Sequence, residues 1–352
     1  MHTHKILVVN PGSTTTKIAL FEDDTELAGD VFRHDAAALR ACPSLWDQFE
    51  LRWLAVGGWT SRNARDVAAV AAMGGLFRGL EGGTYAVNER MLADARANVQ
   101  GEHASNLGCA LAHRLAAGYG CHAYVVDPVS VDEFEPLARY SGHPLISRRS
   151  LSHALNIHAA ARRAAAETGR ELRESSLIVA HLGGGISVAP VRGGRIIDVN
   201  DASSDGPFSP ERTGGLPLQP FIDLCFSGAR SEREMRRLVM GAGGLVAYLG
   251  TNSALEVEER IRAGDDVARE AYQAMAYQIS KEIGAMSTVL AGRVHAIVLA
   301  GGLAGSALLV NWIKERVGFL APVLVFPGED EMRALAQGAL RAMRGETPLL
   351  EY

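Results

Sequence analysis

Four consecutive hydroxyl residues and a lysine follow an apolar run near the start of the chain. The stretch reads NPGSTTTKIALF over residues 10–21, so that Gly12 is followed by the hydroxyl residues 13–16, among them Ser13 and Thr15, and then by Lys17. A tight turn needs the glycine but not the surplus of hydroxyls. Hydroxyl groups, backbone N–H groups approaching past a missing Cβ, and a lysine are the donors that hold a phosphate. A plain hairpin turn would still explain a single loop of this kind.

Two further glycine loops strengthen the phosphate interpretation. HLGGGIS contains Gly183, Gly184 and Gly185, and AGGLAGS contains Gly301, Gly302 and Gly305. Each follows an apolar run that reads as a buried strand. The first two loops could hold a polyphosphate from two sides, and the third could admit a base or ribose. None matches GxxxxGK[ST], or GxGxxG between a strand and a helix, so neither a P-loop nor a Rossmann fold is supported.

The elements around these loops repeat. A strand, a glycine loop and a second strand occur at 5–22 and again at 177–191, which predicts a duplicated α/β fold. An Ala-rich, charged sequence predicts helix over much of 35–70. The remaining predictions are strands at 123–127, 195–199, 295–300 and 322–326, a helix capped by Ser152 and stopped by Gly169, and helices near 265–291 and 331–344.

The bulk composition narrows the class of protein. The chain has 352 residues, which favours two domains, and its net charge of -5 argues against a nucleic-acid partner. The uncharged stretch 294–313 is broken by glycines and reads as strand, turn and helix, so no membrane association is expected. Four cysteines without a CxxC pair, and no signal-peptide pattern at the start, predict a cytoplasmic protein. The Ser/Arg-rich text at 148–152 predicts a boundary between domains 1–150 and 151–331, with the terminal helix 332–352 returning to the first domain.

Eight ordered motifs give the chain a family resemblance. They are ILVVNPGSTTTKIALF, GTYAVNERML, GEHASNLG, VVDPVSVDE, SLSHALN, HLGGGISVA, GPFSPERTGGLP and GEDE, and they run from Ile6 to about Arg344. The sequence resembles the acetate and butyrate kinase family, within the superfamily of acetate kinases, sugar kinases, Hsp70 and actin. Pro11 and the GPFSPERTGG stretch favour the branch that acts on butyrate.

The resemblance implies a fold, a reaction and partners. The fold would be two duplicated ribonuclease H-like domains of the actin/Hsp70 type around a central cleft, with the acyl substrate on the side of domain 1–150 and the nucleotide on the side of domain 151–331. The reaction would be transfer of the γ-phosphoryl group of ATP to a short-chain carboxylate, reversibly, with Mg²⁺. Family members are dimers, so a homodimer is expected.

Roles for single residues follow from the same resemblance. The expected catalytic residues are Arg212, His153, Asp127 and His103, with Arg212 stabilising the transition state. Asn10 and Glu331 would support Mg²⁺, although Asp330 or Glu331 could instead cap a helix. The expected nucleotide and phosphoryl contacts are Asn10, Gly12, Ser13, Thr15, Lys17, His181, Gly183, Gly184, Gly185, Gly301, Gly302 and Gly305. A structural role for His181 is equally open, and His158 receives no role.

Three positions depart from the family pattern. Met73 stands where an arginine would pair with the substrate carboxylate, Leu255 where a basic residue would lie near the nucleotide, and Ser306 where an asparagine is expected. Arg78 could replace the missing arginine, since methionine cannot bind a carboxylate. Met73, Leu76 and Phe77 could line an acyl pocket or belong to the core. The alternative function is a nucleotide-binding regulatory pseudo-kinase with weak or altered activity; a sugar or glycerol kinase is disfavoured by the ordered motifs.

Overall fold

The computed structural model describes residues 3–328 and 330–352, which form two α/β units. One unit holds the described residues up to 132 together with 330–352, and the other holds 133–328. Residue 150, the predicted domain boundary, lies inside the second unit, while the terminal helix packs within the first. Which unit serves the acyl substrate and which the nucleotide stays a prediction.

The strands are numbered in chain order. They are β1 (Lys5–Pro11), β2 (Thr15–Glu22), β3 (Thr25–Arg33), β4 (Ala69–Met73), β5 (Thr84–Ala86), β6 (His122–Val126), β7 (Ser176–Leu182), β8 (Ile186–Arg192), β9 (Arg195–Ile196), β10 (Ala296–Gly301), β11 (Val323–Pro327) and β12 (Leu349–Leu350).

The helices are numbered in the same way. They are α1 (Ala36–Ala41), α2 (Phe49–Asn63), α3 (Glu89–Arg96), α4 (Asn106–Tyr119), α5 (Ala154–Glu167), α6 (Leu218–Phe226), α7 (Glu232–Val239), α8 (Gly244–Leu249), α9 (Ala254–Arg262), α10 (Asp266–Val289), α11 (Ala307–Val317) and α12 (Glu331–Met343).

The first unit is built on a seven-stranded sheet in the order β12-β5-β6-β4-β1-β2-β3. β1, β2 and β3 form an antiparallel meander, whereas β1, β4 and β6 run parallel. The parallel strands are buried almost throughout, since α2 and α4 contribute to the core and α12 also packs on the sheet. β3 at the edge is largely exposed.

The second unit repeats this plan with five strands in the order β11-β10-β7-β8-β9. β7, β8 and β9 are antiparallel, and β7, β10 and β11 are parallel. The long helix α10 covers the sheet with Tyr272, Met275, Ile279 and Ile283, spaced three and four residues apart as a core-facing helix requires. The repeated order confirms the predicted duplicated α/β fold.

Some local predictions are wrong. Helix α5 begins at Ala154 with His153 at the cap position, and the Oγ of Ser152 makes no hydrogen bond to a described residue, so Ser152 is not the cap. The strand predicted at 195–199 is only two residues long. Beyond it, the side chain of Asn200 accepts from Val188 N–H and donates to the Ile186 carbonyl, taking the place of strand pairing.

The sequence does not predict strand β4. Its sequence AVAAM has helical propensity because of its alanines, yet all five residues are buried between two parallel neighbours. The uncharged stretch 294–313 forms β10, a glycine turn and the start of α11, as predicted. Across residues 3–328 and 330–352, no helix combines the length and the apolar character needed to cross a bilayer.

Candidate active site

The hydroxyl loop of the first unit joins β1 to β2. Asn10 pairs with Lys17 and Pro11 with Thr16 across the antiparallel ladder, which leaves Gly12, Ser13 and Thr14 as the loop. Gly12 N–H closes it by donating to the Thr15 carbonyl at 2.8 Å. Ser13 and Thr14 are exposed, so their hydroxyls can reach a ligand.

Glu331 contacts both residues at the base of this hairpin. Its Oε2 accepts from the Asn10 side-chain nitrogen at 2.8 Å and from the Lys17 ammonium at 3.1 Å. Glu331 lies in the first turn of α12, and Asp330, at the cap position, makes no side-chain capping bond. The predicted pair Asn10 and Glu331 is therefore brought together although 321 residues separate them.

Asn10 and Glu331 carry the types of ligand atom that suit Mg²⁺. Mg²⁺ takes oxygen ligands and is usually held by one or two carboxylates together with phosphate oxygens and water. Glu331 supplies a carboxylate and Asn10 an amide oxygen, so the donor types fit. Lys17 competes for the same carboxylate oxygen. No group of three or more His, Cys, Asp or Glu side chains suited to a metal occurs within the described ranges.

His103 and Ser13 line one cavity in the first unit. Its volume is about 360 Å³, and Cys42, Gln48 and Glu102 also border it. His103 Nδ1 lies 2.6 Å from the Ser105 hydroxyl, which fixes the ring at the start of α4. The cavity is open to the hydroxyl loop, so the predicted histidine and the predicted phosphate loop share one space.

Asp127 follows β6 and is fully buried. Its Oδ1 accepts from Gly83 N–H at 2.7 Å, and its own N–H donates to the Gly83 carbonyl at 2.9 Å. Its φ of 40° lies in the left-handed region that few residues other than glycine adopt. Strain of this kind is tolerated where the surrounding structure fixes the residue, as it often does at functional sites.

The second glycine loop, Gly183–Gly185, joins β7 to β8 in the other unit. His181 ends β7 opposite Ser187, and the His153 ring lies 4.3 Å from the His181 ring. His153 Nδ1 lies 2.9 Å from the Ser187 hydroxyl. Two of the predicted histidines therefore stand side by side at the mouth of the loop.

Arg212 packs directly on this loop. A Cβ on Gly185 would lie 2.4 Å from Arg212 Nη1, so only glycine leaves room for the guanidinium. Nη1 donates to the Ala202 carbonyl at 2.9 Å, whereas Nε has no partner among the described residues. Burial lowers the pKa of Arg212. A partly exposed arginine beside a glycine loop can bind a phosphoryl oxygen.

The third glycine loop lies beside the second. β7 and β10 are parallel neighbours, and a Cβ on Gly301 would lie 2.5 Å from the Leu182 carbonyl oxygen. Gly301 also has φ 93°, which suits glycine. Gly302–Gly305 form one turn of 3₁₀ helix before α11. The second unit thus gathers His153, His181, Arg212 and two glycine loops at one sheet edge.

The three positions that depart from the family pattern lie in different structural environments. Met73 is buried at the end of β4, and Ser306 caps α11 by accepting from Leu309 N–H. Leu255 is 74% exposed on α9. Phe77 belongs to the core, packed on Tyr352 with ring centroids 5.5 Å apart.

Arg78 is already engaged. Its Nε donates to Asp94 Oδ2 at 2.8 Å and its Nη2 to Asp94 Oδ1 at 3.3 Å. The hydrogen bond to Arg78 lowers the pKa of the Asp94 carboxyl. A guanidinium held in two bonds by a carboxylate is poorly placed to take a second one, so the structure gives no support to Arg78 as the replacement for the missing arginine.

Sequence reasoning missed one residue beneath the first loop. Arg52 of α2 is fully buried and donates to loop carbonyls. A signal was present, because Arg52 falls on the same helix face as Phe49, Val56 and Trp59, where an apolar residue is expected. In the second unit, Arg149 was also missed; it binds Asp201 at 2.9 Å, next to the Ala202 carbonyl that receives Arg212.

Comparison with solved structures defines the class of fold. An acetate kinase from Porphyromonas gingivalis matches with a TM-score of 0.79 at 16% identity, covering 96% of this chain and 99% of that one. An acetate kinase from Entamoeba histolytica matches with a TM-score of 0.75 at 13% identity and the same coverage. The chain therefore has the acetate kinase fold, of the actin/Hsp70/sugar kinase type.

Sequence comparison defines the family. The family model described as the acetokinase family matches residues 143–320. A probable butyrate kinase 2 from Caldanaerobacter subterraneus subsp. tengcongensis is 51% identical over 348 residues, 98% of each chain. Butyrate kinase 2 from Clostridium acetobutylicum is 47% identical over 352 residues, 99% of each chain. This chain belongs to the acetokinase family.

Proposed function

We propose that this protein is a butyrate kinase, which transfers the γ-phosphoryl group of ATP to a short-chain carboxylate and yields ADP and an acyl phosphate, reversibly. The observation that carries the proposal is the identity of 47–51% to butyrate kinases over nearly the whole chain. The geometry agrees with it, since two glycine-bearing hairpins each hold groups that bind phosphate.

The nucleotide would occupy the second unit. Gly183–Gly185 would cradle the ATP phosphates through backbone N–H groups, and Gly301–Gly305 would border the adenosine. Arg212 would bind the phosphoryl oxygens as charge spreads over them in the transition state, since it packs on the glycine loop and is partly exposed. His153, held by Ser187, would donate a further hydrogen bond to the same group.

The acceptor acid would bind on the side of the first unit. Ser13 and His103 line the same cavity there, and Asn10 and Thr15 border the hydroxyl loop. Asp127 would orient the groups around the phosphoryl path from its fixed, buried position. Exclusion of water from the site would favour transfer to the acid, because water competes with it as acceptor.

Mg²⁺ would be held through Glu331 and Asn10 together with phosphate oxygens. Bound there, the ion would neutralise phosphate charge during transfer. Lys17 would release Glu331 to the metal and turn to a phosphate oxygen, because the two cations compete for one carboxylate oxygen. We also propose, from the family resemblance, that the protein works in the cytoplasm as a homodimer.

The test is an acyl phosphate assay. The purified protein is given ATP, Mg²⁺ and one straight-chain acid of two to six carbons at a time, and the acyl phosphate is trapped with hydroxylamine. We expect the largest kcat/KM with butyrate and none without acid. If the protein binds ATP by calorimetry but forms no acyl phosphate from any acid, the pseudo-kinase alternative replaces this proposal.

A further inference from the structure

Arg52 holds the hydroxyl loop from inside the first unit. Its Nη1 donates to the Gly12 carbonyl at 2.9 Å, to the Thr15 carbonyl at 2.8 Å and to the Thr16 hydroxyl at 3.1 Å. Its Nη2 donates to the Ser13 carbonyl at 3.1 Å and to Gln48 Oε1 at 3.0 Å. One planar guanidinium therefore holds three carbonyls of the loop region, those of Gly12, Ser13 and Thr15.

The charge of this guanidinium is not neutralised within the described residues. All its acceptors are carbonyl, hydroxyl or amide oxygens, and no described carboxylate forms an ion pair with it. The neighbouring carboxylates in sequence are engaged elsewhere, Asp47 with Ser44 and Glu50 with Arg114. Burying an unpaired charge costs free energy of desolvation. A neutral donor could hold the loop at a lower cost, if the role of Arg52 were purely structural.

Holding the carbonyls inward turns the amides outward. In a planar trans peptide, the C=O of one residue and the N–H of the next point in opposite directions. Since the Gly12 and Ser13 carbonyls point at Arg52, the N–H groups of Ser13 and Thr14 point away from it. Neither N–H donates to any residue in the described ranges. Two adjacent free N–H groups directed away from the same guanidinium can donate to one anion.

We propose that Arg52 is a positioning residue for phosphoryl transfer: it fixes the hydroxyl loop so that the Ser13 and Thr14 N–H groups face the transferring group, and its buried positive charge favours an anion there. The proposal rests on the proposed function, because it takes the loop to border the phosphoryl path. Arg52 itself touches no substrate, since it is fully buried behind the loop.

The experiment compares Arg52→Lys and Arg52→Met with Arg62→Met, an exposed arginine of the same helix. Lysine keeps the charge but not the planar fork, and methionine keeps neither. Each variant is measured for melting temperature, for kcat and KM with butyrate and ATP well below that temperature, and for hydrogen exchange of the peptides that cover residues 9–21.

We expect kcat to fall about 10- to 100-fold in Arg52→Lys and further in Arg52→Met, because a misplaced group loses rate steeply. Both KM values should stay within about threefold, since the lost interaction is made mainly in the transition state. Exchange should rise in peptides 9–21 only, and Arg62→Met should match the wild type. If Arg52→Met does not fold, Arg52→Lys alone decides, by the same readouts.

Two results would overturn the proposal. One is a folded Arg52→Lys with wild-type kcat, and the other is a lower melting temperature with neither kcat nor loop exchange changed. Failure of the proposed function looks different: the wild type itself would form no acyl phosphate. Loop exchange that still rises in Arg52→Lys would then uphold the loop contact while removing its link to this reaction.

Discussion

The hairpins β1–β2 and β7–β8 hold equivalent positions in their own sheets, and each carries a three-residue loop, but their arginines are placed differently. In the first unit, Arg52 is buried and holds the loop carbonyls with a charged group. In the second unit, the Gly184 carbonyl accepts from the neutral Ser209 hydroxyl. The charged residue there, Arg212, packs on Gly185 and is only partly buried.

This difference shows two ways in which an arginine side chain can serve a loop. A fully buried guanidinium whose Nη groups donate to the loop and to Gln48 can set geometry and field but cannot reach a ligand. A partly exposed guanidinium such as that of Arg212 can bind charge as it develops. The duplicated fold therefore contains the same hairpin twice. The position of the arginine decides whether it fixes the loop backbone or is available to a ligand beside the loop.

The largest effect should come from Arg212. We predict that Arg212→Lys lowers kcat about 10³-fold, because a point charge cannot replace a fork that stabilises spreading phosphoryl charge. The acyl phosphate assay measures kcat, and thermal unfolding shows whether the fold is kept. Arg237→Lys, exposed on α7 of the same unit, is the control. A kcat within threefold of wild type, about 0.7 kcal/mol, would contradict the role given to Arg212.

Gly185 tests the same contact without touching the arginine. In Gly185→Ala the new Cβ would lie 2.4 Å from Nη1, and only the flexible end of Arg212 needs to move. We therefore predict a kcat about 10- to 100-fold lower with little change in melting temperature. Gly284→Ala on α10 is the matched control, since its Cβ would meet nothing within 4 Å. A large loss of stability with kcat kept would show that the contact is structural.

Glu331 tests the other hairpin. Glu331→Gln removes the charge that faces Asn10 and Lys17, so we predict that the Mg²⁺ concentration giving half-maximal rate rises about tenfold. The rate at saturating Mg²⁺ should fall less. Asp330→Asn, one residue earlier and paired with Arg333, is the control. An unchanged Mg²⁺ dependence would remove Glu331 from the metal site.

The duplicated hairpins could be predicted from the sequence, because glycine loops between apolar strands leave a clear pattern. The sequence also indicated His153, Arg212 and Glu331 as candidate site residues, and their roles stay predictions. It could not show that Arg52 meets the loop, because that contact joins residues 36 to 40 positions apart through the tertiary fold. β4 was missed for a related reason: alanine favours a helix locally, and only burial between neighbouring strands makes it a strand.

The smallest predicted effect concerns the charges around Arg212. Ala202, its main-chain acceptor, lies in a segment with Asp198, Asp201 and Asp205. No described carboxylate, by contrast, forms an ion pair with Arg52. Burial raises the pKa of Asp205 from 3.8 to about 6, and Asp201 and Asp198 add to the rise. Between these values the folded state binds more protons than the unfolded state, so stability falls as pH rises through this window.

Asp205→Asn should remove that loss. We predict that it stabilises the protein by about 1–2 kcal/mol at pH 7.5, a figure reduced from the full shift because the carboxyl is partly exposed. The gain should shrink toward pH 4.5, where the folded wild type is largely protonated at this site. Thermal unfolding of variant and wild type at both pH values measures it, with the exposed Asp223→Asn as control. A gain of equal size at both pH values would mean that the substitution acts through packing and not through the buried charge. The charge of Asp205 would then not be a feature that distinguishes the second loop from the first.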